Sequence, residues 1–244
     1  MALPDLIENS ELVPTLNKMG FMTLHLDPFS REFIAYSKKS TLPVMEVGAA
    51  YGTVVHEVLK NGTRIIANDL SEDHLKILEQ NAPTDKKHLL TLNSGDFLKN
   101  SNVIKGSLSA IFTSRVIHFF SAEGIDIFMK KCFDLLAPGG KLIIVSETPY
   151  LKDYKEFIPI FEERKKTADL WPGLVEDVSI YAPVRGNNIP NLLHFFDHET
   201  LKDVLERYGF HVEKSALIKR EDYPDDLTLD GRESVGAVAR KPLK

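Results

Sequence analysis

Residues 43–59 constrain the fold of this chain more than any other stretch. An apolar strand, Pro43-Val44-Met45-Glu46-Val47, closes on an acid. The small-residue turn Gly48-Ala49-Ala50-Tyr51-Gly52 follows, and then the helical run Thr53-Val54-Val55-His56-Glu57-Val58-Leu59. Strand, tight turn and helix in direct succession make a nucleotide-type site, because glycine admits a ligand to the backbone where a Cβ would collide. Spacing narrows the ligand. The dinucleotide pattern G-x-G-x-x-G needs glycines at 48, 50 and 53, and the chain has Gly48, Ala50 and Thr53.

Glu46, Gly48, Ala50 and Gly52 instead follow acid-x-G-x-G-x-G with one departure, Ala50. This loop resembles that of the class I S-adenosylmethionine (SAM)-dependent methyltransferases. The methyl of Ala50 is expected to weaken binding without abolishing it. A second strand, Arg64 to Asn68, ends in Asp69, followed by Leu70. An acid about 20 residues beyond the first glycine is placed to take a ribose hydroxyl pair. A third strand, His88 to Asn93, leads to Ser94-Gly95-Asp96-Phe97. The resemblance implies that Asp96 accepts from the adenine amine and Phe97 packs on the ring. It also implies that Ser114 and Arg115 flank the methionine end of SAM through their backbones. Leu135-Leu136-Ala137-Pro138-Gly139-Gly140-Lys141-Leu142 resembles the same family's approach to its fifth strand.

The fold class follows from the alternation of strand and helix patterns between Pro43 and Thr148: an α/β, Rossmann-like sheet with helices on both faces. Strands at about 210–218 and 234–240 are expected to form a C-terminal antiparallel hairpin, and the resemblance implies a seven-stranded, mostly parallel sheet. Asp27-Pro28, Ser71, Ser121 and Asp197 read as helix starts, and Gly209 as a helix stop. Prolines at 149, 159, 172, 183 and 190 break the period. We read there an inserted cap, 149–193, with one helix from Lys152 to Asp169. The chain is thus expected to be one domain, 1–244: an N-terminal helical lid at 1–40, an α/β core at 41–148 and 194–244, and the cap. The N-terminal helix is expected to lie over the cofactor or, equally, to pack on the sheet.

Composition sets the remaining bounds. A 244-residue chain with 43% hydrophobic residues can bury one α/β core with an elaboration. A net charge of −5 argues against a nucleic-acid partner. One cysteine, Cys132, excludes a disulfide framework and a cysteine zinc site. The N-terminus lacks a signal-peptide pattern, and no apolar run reaches the ~20 residues of a membrane span. The expectation is a cytoplasmic protein.

Methyl transfer from a sulfonium needs alignment and exclusion of water, and for an ionisable acceptor a base. His118, in Thr113-Ser114-Arg115-Val116-Ile117-His118, is the candidate base, against the simpler reading of a core histidine. Tyr150, Tyr154, Trp171 and Tyr181 are candidates for the acceptor pocket, against cap packing. Lys152, Lys155, Arg164, Lys165 and Lys166 alternate with acids and read as a solvated helix face. His194 and His198 lack a third spaced ligand, so no metal is expected. The leading function is SAM-dependent transfer to oxygen or nitrogen of a small molecule. A protein acceptor, a non-catalytic SAM-binding module and a nicotinamide oxidoreductase are the rivals.

Overall fold

The computed structural model describes residues 3–99, 102–167, 169–182 and 189–243. Parts of the expected cap, 168 and 183–188, lie outside the described residues. The chain opens with a small hairpin, β1 (Leu12–Pro14) and β2 (Phe21–Thr23), and the helix α1 (Pro28–Ser37). Then follow β3 (Val44–Val47), α2 (Thr53–Lys60), β4 (Ile65–Asp69), α3 (Glu72–Asn81), β5 (Leu90–Ser94), β6 (Leu108–Ser114), α4 (Ala122–Leu135) and β7 (Leu136–Glu147). The last part holds α5 (Ile158–Lys166), β8 (Leu174–Val175), β9 (Leu193–His194), α6 (His198–Arg207), β10 (His211–Ile218) and β11 (Ser234–Arg240).

Seven strands form the main sheet in the order β10-β11-β7-β6-β3-β4-β5. β11 is antiparallel to both neighbours, and the pairs from β7 to β5 are parallel. Neighbouring residues of a strand face opposite sides, and the core divides accordingly. Met45, Ile111, Leu142 and Ile144 pack with α4 and α6 through Phe128, Met129, Leu201 and Leu205. Val44, Ala110, Phe112, Ile143 and Val145 pack on the other face with Phe29 and Phe33 of α1 and Val55, Val58 and Leu59 of α2. Each fully buried aromatic or aliphatic side chain here is worth about 1.5–3 kcal/mol.

The caps form as the sequence indicated. Asp27 Oδ1 accepts from the backbone N–H of Phe29 at 2.8 Å and of Ser30 at 3.0 Å, with Pro28 opening α1. Ser71, Ser121 and Asp197 cap α3, α4 and α6. β7 starts earlier than expected, at Leu136. Leu108 pairs with Leu136, yet Ala110 already pairs with Lys141, so the Pro-Gly-Gly turn is looped out of the ladder.

Three expectations need correction. First, of its two expected placements α1 takes packing on the sheet and not the lid: Phe29 and Phe33 lie under the sheet, and the β1–β2 hairpin occupies the carboxyl edge. Second, the helix expected over 152–169 is a single turn at Lys152–Tyr154 followed by α5. Pro159 explains this, because its missing N–H is harmless in a first helical turn and costly further in. Third, the basic run is not simply a solvated face. Lys165 Nζ lies 2.5 Å from Asp197 Oδ2 and 2.6 Å from Glu199 Oε2, and Arg164 Nη1 donates to the carbonyl of Leu174 at 2.8 Å. The Lys165 contacts tie α5 to the start of α6, and the Arg164 bond ties it to β8. The cap residues Tyr150, Leu151, Tyr154, Phe157 and Phe161 share a core with Phe195, Leu12 and Tyr223.

Gly236 in β11 tests the α1 packing. A Cβ there would fall 2.2 Å from Cδ2 of Phe29. Gly236→Ala is expected to destabilise by about 1–3 kcal/mol through overpacking. Chemical denaturation checks this, and Phe29→Leu in the same chain should recover part of the loss.

Candidate active site

The loop after β3 is shaped by two close approaches. Gly48 has φ +77°, and a Cβ there would sit 2.2 Å from Cγ2 of Val116. Gly52 has φ +91° and would meet Cγ of Leu78 at 2.6 Å. Between them Ala50 holds φ 43°, a left-handed conformation rare for residues with a Cβ. Its methyl packs toward Val13, Met22, Tyr51 and Ile77, so it meets the N-terminal hairpin.

Asp69, at the end of β4, stabilises this loop. Its Oδ2 accepts from the backbone N–H of Ala50 at 2.8 Å. Its Oδ1 accepts from the backbone N–H of Ser71 at 2.8 Å and lies 3.0 Å from Nδ1 of His74. On the far side of that imidazole, Nε2 lies 3.1 Å from the backbone N of Leu16, which also donates to Tyr51 Oη at 3.1 Å. A backbone N–H can only donate, so Nε2 accepts and the His74 proton sits on Nδ1, facing Asp69. A carboxylate offers about four acceptor positions, and one remains for a ligand.

A cleft of about 1060 Å³ opens over the carboxyl ends of these strands. Glu46, Gly48, Ala50, Asp69, Leu70, Asp96, Phe97, Ser114 and Arg115 all line it. Gly52 does not, and its positive φ and Leu78 account for it instead. Phe97 is also wedged against Phe128 in the core, at a ring-centroid distance of 5.5 Å. Asp96 Oδ1 accepts from the backbone N–H of Leu98 at 2.9 Å. Glu46 is buried, and its Oε2 has no hydrogen-bond partner. Burial, then repulsion from Asp69, pushes its carboxyl well above the usual range. Sequence reasoning missed the hairpin residues Met22 and Thr23, and also His74 and Phe119. β1 and β2 are each three residues long, too short for alternation to show.

A second cleft of about 780 Å³ adjoins the first. Phe21, Arg115 and Phe119 line both. Its other walls are mostly apolar, among them Leu12, Leu151, Tyr154, Phe195 and Leu227, with His118, Glu147, Asp153 and Tyr223 as polar groups. Among the described residues, Tyr154 is the acceptor candidate that lines one of these two clefts. Tyr150 donates to Glu162 Oε1 at 2.6 Å, and its ring carries the Arg232 guanidinium 3.7 Å from the centroid. Trp171 packs on His194, with Arg207 over its ring, and Tyr181 packs on Phe157. His194 lies on β9 and His198 opens α6. Among the described residues no group of three His, Cys, Asp or Glu could hold a metal.

His118 lines the second cleft and is buried, with Nδ1 unpartnered. Burial and the neighbouring Arg115 lower its pKa to about 3. It is therefore neutral at physiological pH and a weak proton acceptor, which disfavours the expected role as base. Burial also raises the Glu147 carboxyl, which accepts from Tyr223 Oη and, at 3.2 Å, from Ser234 Oγ. Burial and Glu147 push the Tyr223 phenol up to about 12.

Residues 45–142 match the family model described as a methyltransferase domain. A protein described as a SAM-dependent methyltransferase from Methanosarcina mazei has the same fold, with a TM-score of 0.63 at 14% identity, covering 87% of this chain and 98% of that one. The glycopeptide N-methyltransferase MtfA, solved with SAM, gives 0.58 at 17% identity, covering 87% of this chain and 86% of its own. Together with the loop after β3, these findings show that the chain has the class I SAM-dependent methyltransferase fold and that residues 45–142 match the methyltransferase domain model. In sequence it is 28% identical over 104 residues to 3-amino-4-hydroxybenzoate 4-O-methyltransferase of Streptomyces cremeus. That stretch is 42% of this chain and 28% of the length of the Streptomyces enzyme. Among the described residues no helix is long and apolar enough to cross a membrane.

Two measurements test this site. Asp69→Ala is expected to weaken SAM by about 1.5–3 kcal/mol, the worth of hydrogen bonds to a charged group, and to loosen the loop. Calorimetry reads the first, and unchanged affinity in a folded variant would contradict the assignment. Glu46 has a raised folded pKa, so its contribution to stability is complete below the unfolded value and is lost as pH rises through the folded one. Glu147 adds to the same slope. Glu46→Gln is therefore expected to flatten the fall in melting temperature of the cofactor-free protein with rising pH.

Proposed function

We propose that the first cleft holds SAM and the second presents a small-molecule acceptor, which takes the methyl group on oxygen or nitrogen at their shared wall. The observation that carries this is the division of residues. The expected cofactor positions other than Gly52 line one cleft, and a separate, largely apolar cleft meets it only at Phe21, Arg115 and Phe119. A largely apolar hollow with a few polar groups suits a small ligand. The hydroxybenzoate O-methyltransferase and the glycopeptide N-methyltransferase among its relatives support the two acceptor atoms.

The residues present fit SAM. Glu46 keeps an unpartnered buried oxygen in the cleft, Asp69 keeps one acceptor position, and the left-handed loop leaves backbone exposed there. When bound, SAM supplies a methyl group on a positively charged sulfur with a neutral leaving group. The protein's tasks are then positional. The loop and Asp69 fix one end of the cofactor. Phe21 and Phe119 exclude water where the clefts join. His118, neutral and buried, can bond to the acceptor without abstracting its proton. We further propose that residues 149–193 act as one cap with the β1–β2 hairpin, since Leu12, Leu151 and Tyr154 share a core and a cleft wall.

The expected contrast lies between two cap aromatics. Tyr154→Ala should leave SAM affinity within about twofold and reduce turnover about tenfold or more, the scale of a lost positioning contact. Trp171→Ala should lower the melting temperature and leave acceptor selectivity unchanged. S-adenosylhomocysteine formation on a panel of hydroxylated and aminated small molecules reads both. If no compound supports turnover while SAM binds, a non-catalytic SAM-binding role replaces this reading.

A further inference from the structure

Arg115 lies where the two clefts meet, and its surroundings identify the acceptor's chemistry. Its backbone closes β6: the N–H donates to the carbonyl of Val145 at 2.8 Å, and φ is +56°. That left-handed turn sends the side chain off the sheet edge. The guanidinium reaches Tyr223, a residue of the second cleft only, with Nη1 3.5 Å from Oη. Its Nε is buried without an acceptor. No carboxylate lies within 4.0 Å of it among the described residues.

The same neighbourhood pairs another arginine fully. Arg220 meets Asp222 through two bonds, of 2.8 and 2.6 Å. Arg115 has no such partner. Glu147 already accepts from Tyr223 and Ser234; burial raises its carboxyl, and the charges of Arg115 and Arg220 lower it. His118 brings a second unpartnered nitrogen, Nδ1, into the same cleft. The groups around this point are thus Arg115 and His118 from the β6 end, Glu147 from β7, Asp153 from the cap, and Arg220, Asp222 and Tyr223 after β10. The walls beside them carry the rings of Phe21, Phe119, Tyr154 and Phe195.

We infer that the acceptor is an acidic hydroxyl compound on a flat apolar body, a phenol or enol, and that Arg115 holds its oxygen as the anion at the shared wall. This rests on the second cleft's being the acceptor site. An oxyanion supplies the missing acceptor to Nε. An ammonium would set a second cation against the guanidinium, and a neutral amine would face its donors with further N–H groups. No base is needed in the transfer step, because the hydroxyl proton leaves to solvent on binding. The oxygen lone pair then forms the bond to the methyl carbon, and the carbon–sulfur bond breaks with its electron pair remaining on sulfur. The products are the methyl ether and S-adenosylhomocysteine.

The test uses 4-nitrophenol, whose anion alone absorbs visible light, titrated into the protein–S-adenosylhomocysteine complex over a range of pH. The bound probe is expected to ionise about one pH unit or more below the free probe, the effect of an adjacent opposite charge. Arg115→Lys should keep most of that shift and Arg115→Gln should lose it. Leu227→Trp should block the probe while S-adenosylhomocysteine still binds. Absence of saturable binding, an unshifted or raised pKa in the parent protein, or a shift that survives Arg115→Gln overturns the assignment. If Leu227→Trp blocks a probe that shows no shift, the acceptor cleft stands and only the role of Arg115 falls. If Leu227→Trp leaves binding intact, the probe sits elsewhere and the reading of the cleft fails with it.

Discussion

The carboxylate of Asp69 joins three parts of the molecule that are far apart in sequence. One oxygen holds the backbone of Ala50 in a conformation that a residue with a Cβ resists. The other holds the first turn of α3 and, through the His74 ring, the backbone of Leu16 in the N-terminal hairpin. Left-handed alanine costs roughly 1–2 kcal/mol relative to right-handed backbone, and a charge-assisted bond to its N–H offsets a cost of that size. The cofactor loop therefore owes its shape to β4 as much as to its own glycines. The hairpin above it is fastened to the same group that faces the cofactor's expected ribose.

A second fastening lies opposite. Thr23 Oγ1 donates to Asp222 Oδ2 at 2.7 Å, and the backbone N–H of Glu11 donates to the carbonyl of Asp222 at 3.0 Å. Asp222 is in turn clamped by the fully buried Arg220. The hairpin thus bridges the two clefts, and Phe21 of β2 belongs to both. A buried ion pair adds little net stability when it replaces apolar packing. Its value at this position is geometric, since it fixes where the hairpin ends.

The sheet and most of the first cleft's lining were legible in the sequence because their signals are local. Strand runs, caps at Asp27, Ser71, Ser121 and Asp197, and acids at strand ends each follow from a few adjacent residues. What escaped depends on contacts between distant segments. The hairpin strands are too short to carry a period. His74 reads as an ordinary helix residue until Leu16 is brought to it. Gly48 looked like ligand clearance, yet its missing Cβ already leaves room for Val116. Trp171 and Tyr150 attracted attention as aromatics in a cap, but Arg207 and Arg232 cover them, a pairing no spacing rule reveals. Of the two readings of His118, a base or a core histidine, burial beside Arg115 favours the second, since both lower its pKa.

β11 runs against every other strand of the main sheet. The turn that feeds it, residues 219–233, therefore emerges at the carboxyl edge, where Ser234 pairs with Glu147 at the end of β7. Tyr223, Pro224 and Leu227 of that turn line the second cleft, whereas the expected cofactor contacts all precede Val116. The late turn thus adds walls to the second cleft and none to the first. On the proposed reading, changes at Pro224 or Leu227 would reshape the acceptor cleft, whereas changes at Arg220 or Asp222 would reach the cofactor cleft too, through Thr23 of the hairpin.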